Sequence, residues 1–219
     1  NTCSWRWVAG LHTAGKTYLA RPANIEEYTQ GRFKPEGQLA STAVALEEAD
    51  LGPRVQPTFD VPDLAGQRIG LLLTPEDCAA DRLDPLPTPA GLFAWTEPVK
   101  RSVRPTAPAV DAFATQAVES AVTASEARFG LSCVRAEADE PTAEALARWA
   151  QDLALDCIVT PRLPLGPTRK AVHAACSSQG LTLVEVTRPY DQAVWPHARA
   201  GFFGLKKKIP AILASLSLA

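Results

Sequence analysis

Arg68-Ile-Gly-Leu-Leu-Leu-Thr74 is a continuous apolar run without polar alternation. Such a run suits a strand buried on both faces, as in a parallel sheet covered by helices. Four further runs share this character: Gly91–Trp95, Leu131–Ala136, Cys157–Thr160 and Leu181–Val186. Segments of helical period lie between them. Ala109–Phe129 places Val110, Phe113, Ala117, Val118, Ala121 and Val122 on one stripe, and Gly130 stops it. Pro141–Leu155 opens with Pro at the first helical position and offers Leu146, Trp149 and Leu153 to a core. Pro167–Gln179 opens the same way and ends at Gly180. Strand and helix alternating in this manner predict an α/β fold: a five-stranded, doubly wound parallel sheet over residues 67–190. The weakest connection is Thr74–Ala90, where Pro75–Leu83 offers only about two helical turns.

Sites in such sheets sit at the carboxyl ends of strands, which here means Thr74–Asp77, Thr96–Glu97 and Thr160–Arg162. A G-x-G-x-x-G fingerprint does not follow the first strand, so a conventional dinucleotide site lacks its main signal. Ahead of the sheet, Gly52-Pro-Arg-Val-Gln-Pro57 and Val61-Pro-Asp-Leu-Ala-Gly66 mark a linker over 56–66. Residues 1–55 form a region before it, 67–189 the α/β domain, and 190–219 a tail packing on or between the two. Within the first region, Ala23–Tyr28 suits one or two helical turns, and Ser41 is an N-cap for a short helix to Leu51.

Composition narrows the function classes. The formal net charge of −2 argues against a strongly basic nucleic-acid surface over the whole piece, so any DNA contact must be local, through Arg6, His12, Lys16 and Arg21. No apolar run approaches the roughly 20 residues that span a bilayer. Cys3, Cys78, Cys133, Cys157 and Cys176 are widely spaced and form no C-x-x-C pair, which speaks against a zinc or iron–sulfur site and for a reduced, cytoplasmic protein. Cys133 and Cys157 fall in apolar runs and read as small hydrophobes. In the tail, Trp195, Phe202 and Phe203 read as apolar anchors and Lys206–Lys208 as a solvated basic run. His197 and Arg199 are candidates for a ligand at a domain seam, whereas His173, within a helix, reads as a surface or packing residue.

The first stretch carries two motifs. Gly10-Leu-His-Thr-Ala-Gly15-Lys16-Thr17 satisfies the P-loop pattern of nucleotide hydrolases. Its flanks do not: Ser4–Ala9 is short and interrupted by Arg6, and Pro22 breaks the helix that must follow. The second motif is Asn1-x-x-x-Trp5-x-Trp7-Val-Ala-Gly10, followed by Arg21-Pro-Ala-Asn-Ile and Gly31-Arg-Phe. This order resembles the late flavin-contacting segment of the DNA photolyase and cryptochrome family.

The resemblance implies that residues 1–55 are the helical C-terminal tail of a photolyase-type FAD-binding domain. It implies that Asn1 faces the reactive edge of FAD, that Trp5 is the nearest member of an electron-relaying tryptophan chain, and that Trp7, beside Arg6, packs against damaged DNA. Thr2, Cys3, Ser4 and Arg6 depart from the family's usual residues, which leaves lesion class and flavin tuning open. A chain that opens on Asn1 and contains no Met is expected to be the C-terminal part of a longer polypeptide, with the rest of the flavin domain as its partner. By element order the α/β region resembles the family's antenna-pigment domain, placed here after the flavin domain. It either binds a light-harvesting pigment of unspecified identity or braces the flavin domain, and the residues favour bracing. The implied activity is light-driven splitting of pyrimidine dimers, a carbon–carbon lyase reaction. A blue-light sensor without repair, a P-loop nucleotide-binding protein and a scaffold half are the alternatives.

Overall fold

The computed structural model describes residues 19–42, 52, 58–59, 62–84, 86–96, 105–137, 139–198 and 202–218. The chain divides into two compact units, Asn1–Val55 and Gln56–Ala219.

In the first unit, helix α1 spans Pro22–Tyr28, with Pro at its first position where the absent N–H costs nothing. The Thr29 hydroxyl donates to Ile25 O at 2.6 Å, and Phe33 N donates back to that hydroxyl at 3.2 Å, which closes the helix end. Gln30 and Gly31 then adopt positive φ and turn the chain away. Most of the expected helix from Ser41 to Leu51 lies outside the described residues.

The second unit is built on a five-stranded sheet of order β3-β2-β1-β4-β5, with every neighbouring pair parallel. The strands are β1 (Ile69–Leu73), β2 (Gly91–Ala94), β3 (Cys133–Val134), β4 (Cys157–Pro161) and β5 (Leu183–Val186). Three helices connect them: α2 (Pro108–Phe129), α3 (Thr142–Asp152) and α4 (Pro167–Ser178). The short helices α5 (Pro189–Val194), α6 (Phe202–Lys206) and α7 (Ile209–Ser215) follow. Between β1 and β2, where about two helical turns were expected, the chain makes turns and a single 3-10 segment, Ala80–Arg82.

Successive residues of β1 feed opposite faces, as strand geometry requires. Leu72 packs with Phe93, Ile158, Trp149 of α3 and Val172 of α4. Leu71 and Leu73 pack with Leu92, Ala94 and, from α2, Val118 and Val122. Helices therefore cover both faces, and the central strands β1, β2 and β4 are buried along their whole length.

Two glycines make the α3 face close. A Cβ at Gly70 would fall onto the Trp149 ring and Leu155, and one at Gly91 onto Leu153. The bare backbone of two adjacent strands thus admits the Trp149 indole flat against the sheet, with Phe93 tilted beside it at 5.4 Å between centroids.

Three expectations need correction. Cys133–Val134 is a two-residue strand, where the apolar run suggested six residues; its side chains are only half-buried at the sheet edge. On α2 the stripe is buried only from Val118 onward; Val110 is 51% and Phe113 73% exposed. Among the described residues no element of this unit covers the first ten residues of the helix. The tail aromatics Trp195, Phe202 and Phe203 are likewise exposed, not anchored in this core. Among the described residues no helix is long and apolar enough to cross a membrane.

Candidate functional site

The carboxyl ends of the strands carry the polar chemistry of the second unit. At the exit of β1, where order reverses between β1 and β4, an open sheet normally forms its ligand crevice. Here the protein's own side chains fill it. The Thr168 hydroxyl, in the first turn of α4, donates to Glu76 Oε1 at 2.7 Å. Arg188, just past β5, pairs with the Asp77 carboxylate through both terminal nitrogens and donates to Ala79 O at 2.8 Å. Its hydrogen bonds to Asp77 outweigh partial burial and raise the Arg188 guanidinium further above its usual range. The loop after β1 is thus clamped to the first turn of α4 and to the segment after β5.

A second cluster joins α4 to β5. Arg169 forms a bidentate pair with Glu185, at 3.0 Å from Nε to Oε1 and 2.6 Å from Nη2 to Oε2. Leu163 N donates to the same carboxylate at 3.2 Å, and His173 Nε2 lies 3.5 Å from it. Burial alone would push the Glu185 carboxyl up, but the hydrogen bonds from Arg169 and Leu163 and the nearby positive charge hold it below its ordinary value.

Two hollows open at this edge. The larger, about 700 Å³, is an open groove bordered by the ends of β2 and β3 and by α3 and α4, with Trp95 at its base and Glu137 and Glu140 at its rim. Trp95 is 2% exposed, and its Nε1 is buried without a hydrogen-bond partner, closed off from the groove. Arg148 takes up both oxygens of Glu140. The smaller hollow, about 340 Å³, lies past β4 and β5 and is lined by Thr58, Arg162, Arg169, Glu185 and Thr187. Arg162 is held there over two rings, 5.7 Å from the Phe59 centroid and 5.5 Å from that of Trp195. Its Nη1 donates to Thr58 O at 2.9 Å.

Three cysteines of this unit, Cys133, Cys157 and Cys176, are packing residues, whereas Cys78 is exposed. Burial pushes the Cys133 thiol up to about 12 and the Cys176 thiol up to about 11, so neither forms a thiolate near neutrality. Cys157 is buried in β4 and donates to Gln67 Oε1 at 3.2 Å. Among the described residues no group of three or more His, Cys, Asp and Glu side chains is placed to hold a metal ion.

Of the residues singled out from sequence, Asn1, Trp5, Arg6 and Trp7, with His12 and Lys16, lie outside the described residues, as do Glu97 and Arg199. Arg21 precedes α1 and is exposed. The flagged strand ends Thr74–Asp77 and Thr160–Arg162 are where the structure concentrates its polar contacts. His173 is half-exposed and faces Glu185, a pairing that its place within a helix did not suggest. Sequence reading missed Arg188, Arg169 and the aromatic clamp on Arg162. Arg188 follows a strand end and Arg169 lies in the first turn of a helix, both weak cues, and the clamp joins Phe59 to Trp195, far apart in sequence. No family model, curated protein or solved structure matches this chain.

Proposed function

We propose that the chain is the C-terminal part of a flavin-dependent, light-driven DNA photolyase, in which an α/β domain of antenna type follows the flavin domain. The observation that carries this reading is the order Asn1, Trp5, Trp7 within the first ten residues, continued by Arg21-Pro-Ala-Asn-Ile and Gly31-Arg-Phe. Asn1, Trp5 and Trp7 stand outside the described residues, so the reading rests on their order and spacing. The α/β unit adds support of a general kind, since a parallel sheet covered on both faces is the architecture that element order called for.

The chemistry supplied by bound FAD is donation of one electron to a pyrimidine dimer under blue light. Asn1 is assigned to the reactive edge of the isoalloxazine ring, where a side-chain amide offers both a donor and an acceptor. Trp5 is assigned to relay an electron between protein surface and cofactor. Trp7, with Arg6 beside it, is assigned to stack on the base that repair requires to be extruded from the duplex. None of the described residues is assigned to the flavin.

In the flavin-loaded protein, Trp5→Phe is expected to slow photoreduction of oxidised flavin while flavin stays bound. Trp7→Ala is expected to weaken lesion-DNA binding by about 1–3 kcal/mol, the loss of one base–aromatic stack. Unchanged photoreduction and unchanged lesion affinity in these two variants would remove both assignments. Loss of photoreduction with lesion binding absent in the parent would point to a blue-light sensor instead.

A further inference from the structure

We propose that the hollow at the carboxyl ends of β4 and β5 binds a terminal phosphate group, held by Arg162. This inference is independent of the flavin reading. It starts from the pairing of charges. Most arginines at this edge of the sheet are committed: Arg188 to Asp77, Arg169 to Glu185, Arg148 to Glu140. Arg162 differs, because it lines the same hollow as Arg169 and yet no carboxylate of the described residues pairs with it. Among the described residues the single acceptor of its side chain is Thr58 O, through Nη1, and none of them accepts from Nε or Nη2.

The guanidinium nevertheless has neighbours: Cζ lies 5.7 Å from the Phe59 centroid and 5.5 Å from that of Trp195, and the two rings stand 5.8 Å apart. Stacking of this kind immobilises an arginine without consuming its donors, which leaves a preorganised fork for an oxyanion. Around it, Glu185 is paired with Arg169, so among the described residues lining the hollow Arg162 is the one charge without an opposite partner. The hydroxyl-bearing residues Thr58 and Thr187 also line it. About 340 Å³ accommodates a phosphate with part of the group that carries it, and the exposed Trp195 ring lies 5.5 Å from the Arg162 guanidinium that lines it. The position agrees with the general rule that α/β sheets bind ligands outside the carboxyl ends of their strands. A dianionic phosphomonoester matches one free arginine fork better than a singly charged internal phosphodiester, because charge-assisted bidentate pairs gain from the second charge.

The test is calorimetric titration of the 219-residue chain at low salt with three probes: inorganic phosphate, adenosine 5′-monophosphate and a single-stranded thymidine oligonucleotide lacking a terminal phosphate. The first two are expected to bind, with affinity falling as salt rises, and the mononucleotide is expected to bind more tightly than phosphate alone. Arg162→Gln is expected to raise the dissociation constant for the mononucleotide about ten- to a hundredfold, as for loss of a charge-assisted bidentate pair. Arg162→Lys keeps the charge but not the fork, and is expected to fall between parent and Arg162→Gln. Failure of the parent to bind either phosphate or mononucleotide overturns the proposal. So does equal affinity in parent and Arg162→Lys, which would show that the fork is not used. Tighter binding of the oligonucleotide than of the mononucleotide overturns the terminal-phosphate assignment in favour of a nucleic-acid backbone.

Discussion

Helices α2 and α3 lie on opposite faces of one sheet and use their residues very differently. α3 is 11 residues long and buries Thr142, Ala145, Leu146, Ala147, Trp149 and Ala150. α2 is 22 residues long and buries only Val118, Ala121, Val122 and Ser125, none of them before its eleventh residue. The shorter helix makes the larger core because the sheet beneath it was shaped to receive it. Gly70 and Gly91 remove side chains where the Trp149 indole lies, and Phe93 and Leu72 fill the margins. Under α2 the sheet offers Leu71, Leu73, Leu92 and Ala94 to small partners, and the first half of the helix overruns them. Length, then, is a poor guide to what a helix contributes, and what matters is the complementary surface it meets.

The largest effect is therefore expected on the α3 face. Trp149→Ala should destabilise the protein by about 3–5 kcal/mol, the range for deleting a large buried aromatic from a packed site. Gly70→Ala should also destabilise, because a Cβ there meets the Trp149 ring and Leu155, and overpacking costs about 1–3 kcal/mol. Combined, the two changes should cost less than their sum, since the alanine then occupies space that the indole has left. Denaturant unfolding of the single and double variants measures this coupling, and strict additivity would show that Trp149 does not rest on Gly70.

This asymmetry also explains what could be read from the sequence. The strand Ile69–Leu73 was legible because a run buried on both faces leaves no polar alternation, and the same holds for Cys157–Pro161. Helix stops at Gly130 and Gly180 were legible because both glycines take the left-handed conformation. Val110 and Phe113 were not, since periodicity reports which residues share a helix face and not whether anything covers it. The Asp77–Arg188 clamp was hidden for a different reason: its partners stand 111 residues apart, and charged residues at strand ends are common. Arg162 looked like any polar residue after a strand until Phe59 and Trp195 were seen to hold it. The motif at Asn1–Gly10 is the reverse case, legible in sequence and outside the described residues.

A smaller effect is expected from the polar end of the α4 face. Glu185 has a depressed carboxyl pKa when folded, so it contributes stability above its unfolded value, near 4.5, and that contribution is lost as pH falls through the folded value. Arg169→Gln removes the main group that holds it down and leaves burial, which acts in the opposite direction. The stability gap between parent and Arg169→Gln should be fully open at neutral pH and should narrow as pH drops below 4.5. Denaturant midpoints of both proteins across the acid range check this. A gap that stays constant with pH would mean that Arg169 stabilises by packing and not through the Glu185 charge.

The smallest effect is expected on the exposed half of α2, and it is the most discriminating for the comparison. Phe113 is 73% exposed, so its ring buries little against the second unit. Phe113→Ser should change the unfolding free energy by no more than about 0.5 kcal/mol, the usual range for surface substitutions. Val122→Ala, nine residues along the same helix and 2% exposed, should cost about 1–2 kcal/mol by loss of buried methyl groups. The two residues stand about half a turn apart round the helix axis, so one side meets the sheet and the other does not. The helix propensity gained in Val122→Ala, up to about 0.7 kcal/mol, offsets part of its cost. If Phe113→Ser instead destabilised as much as Val122→Ala, the overrunning half of α2 would be covered after all, and the two faces of the sheet would be more alike than their buried residues indicate.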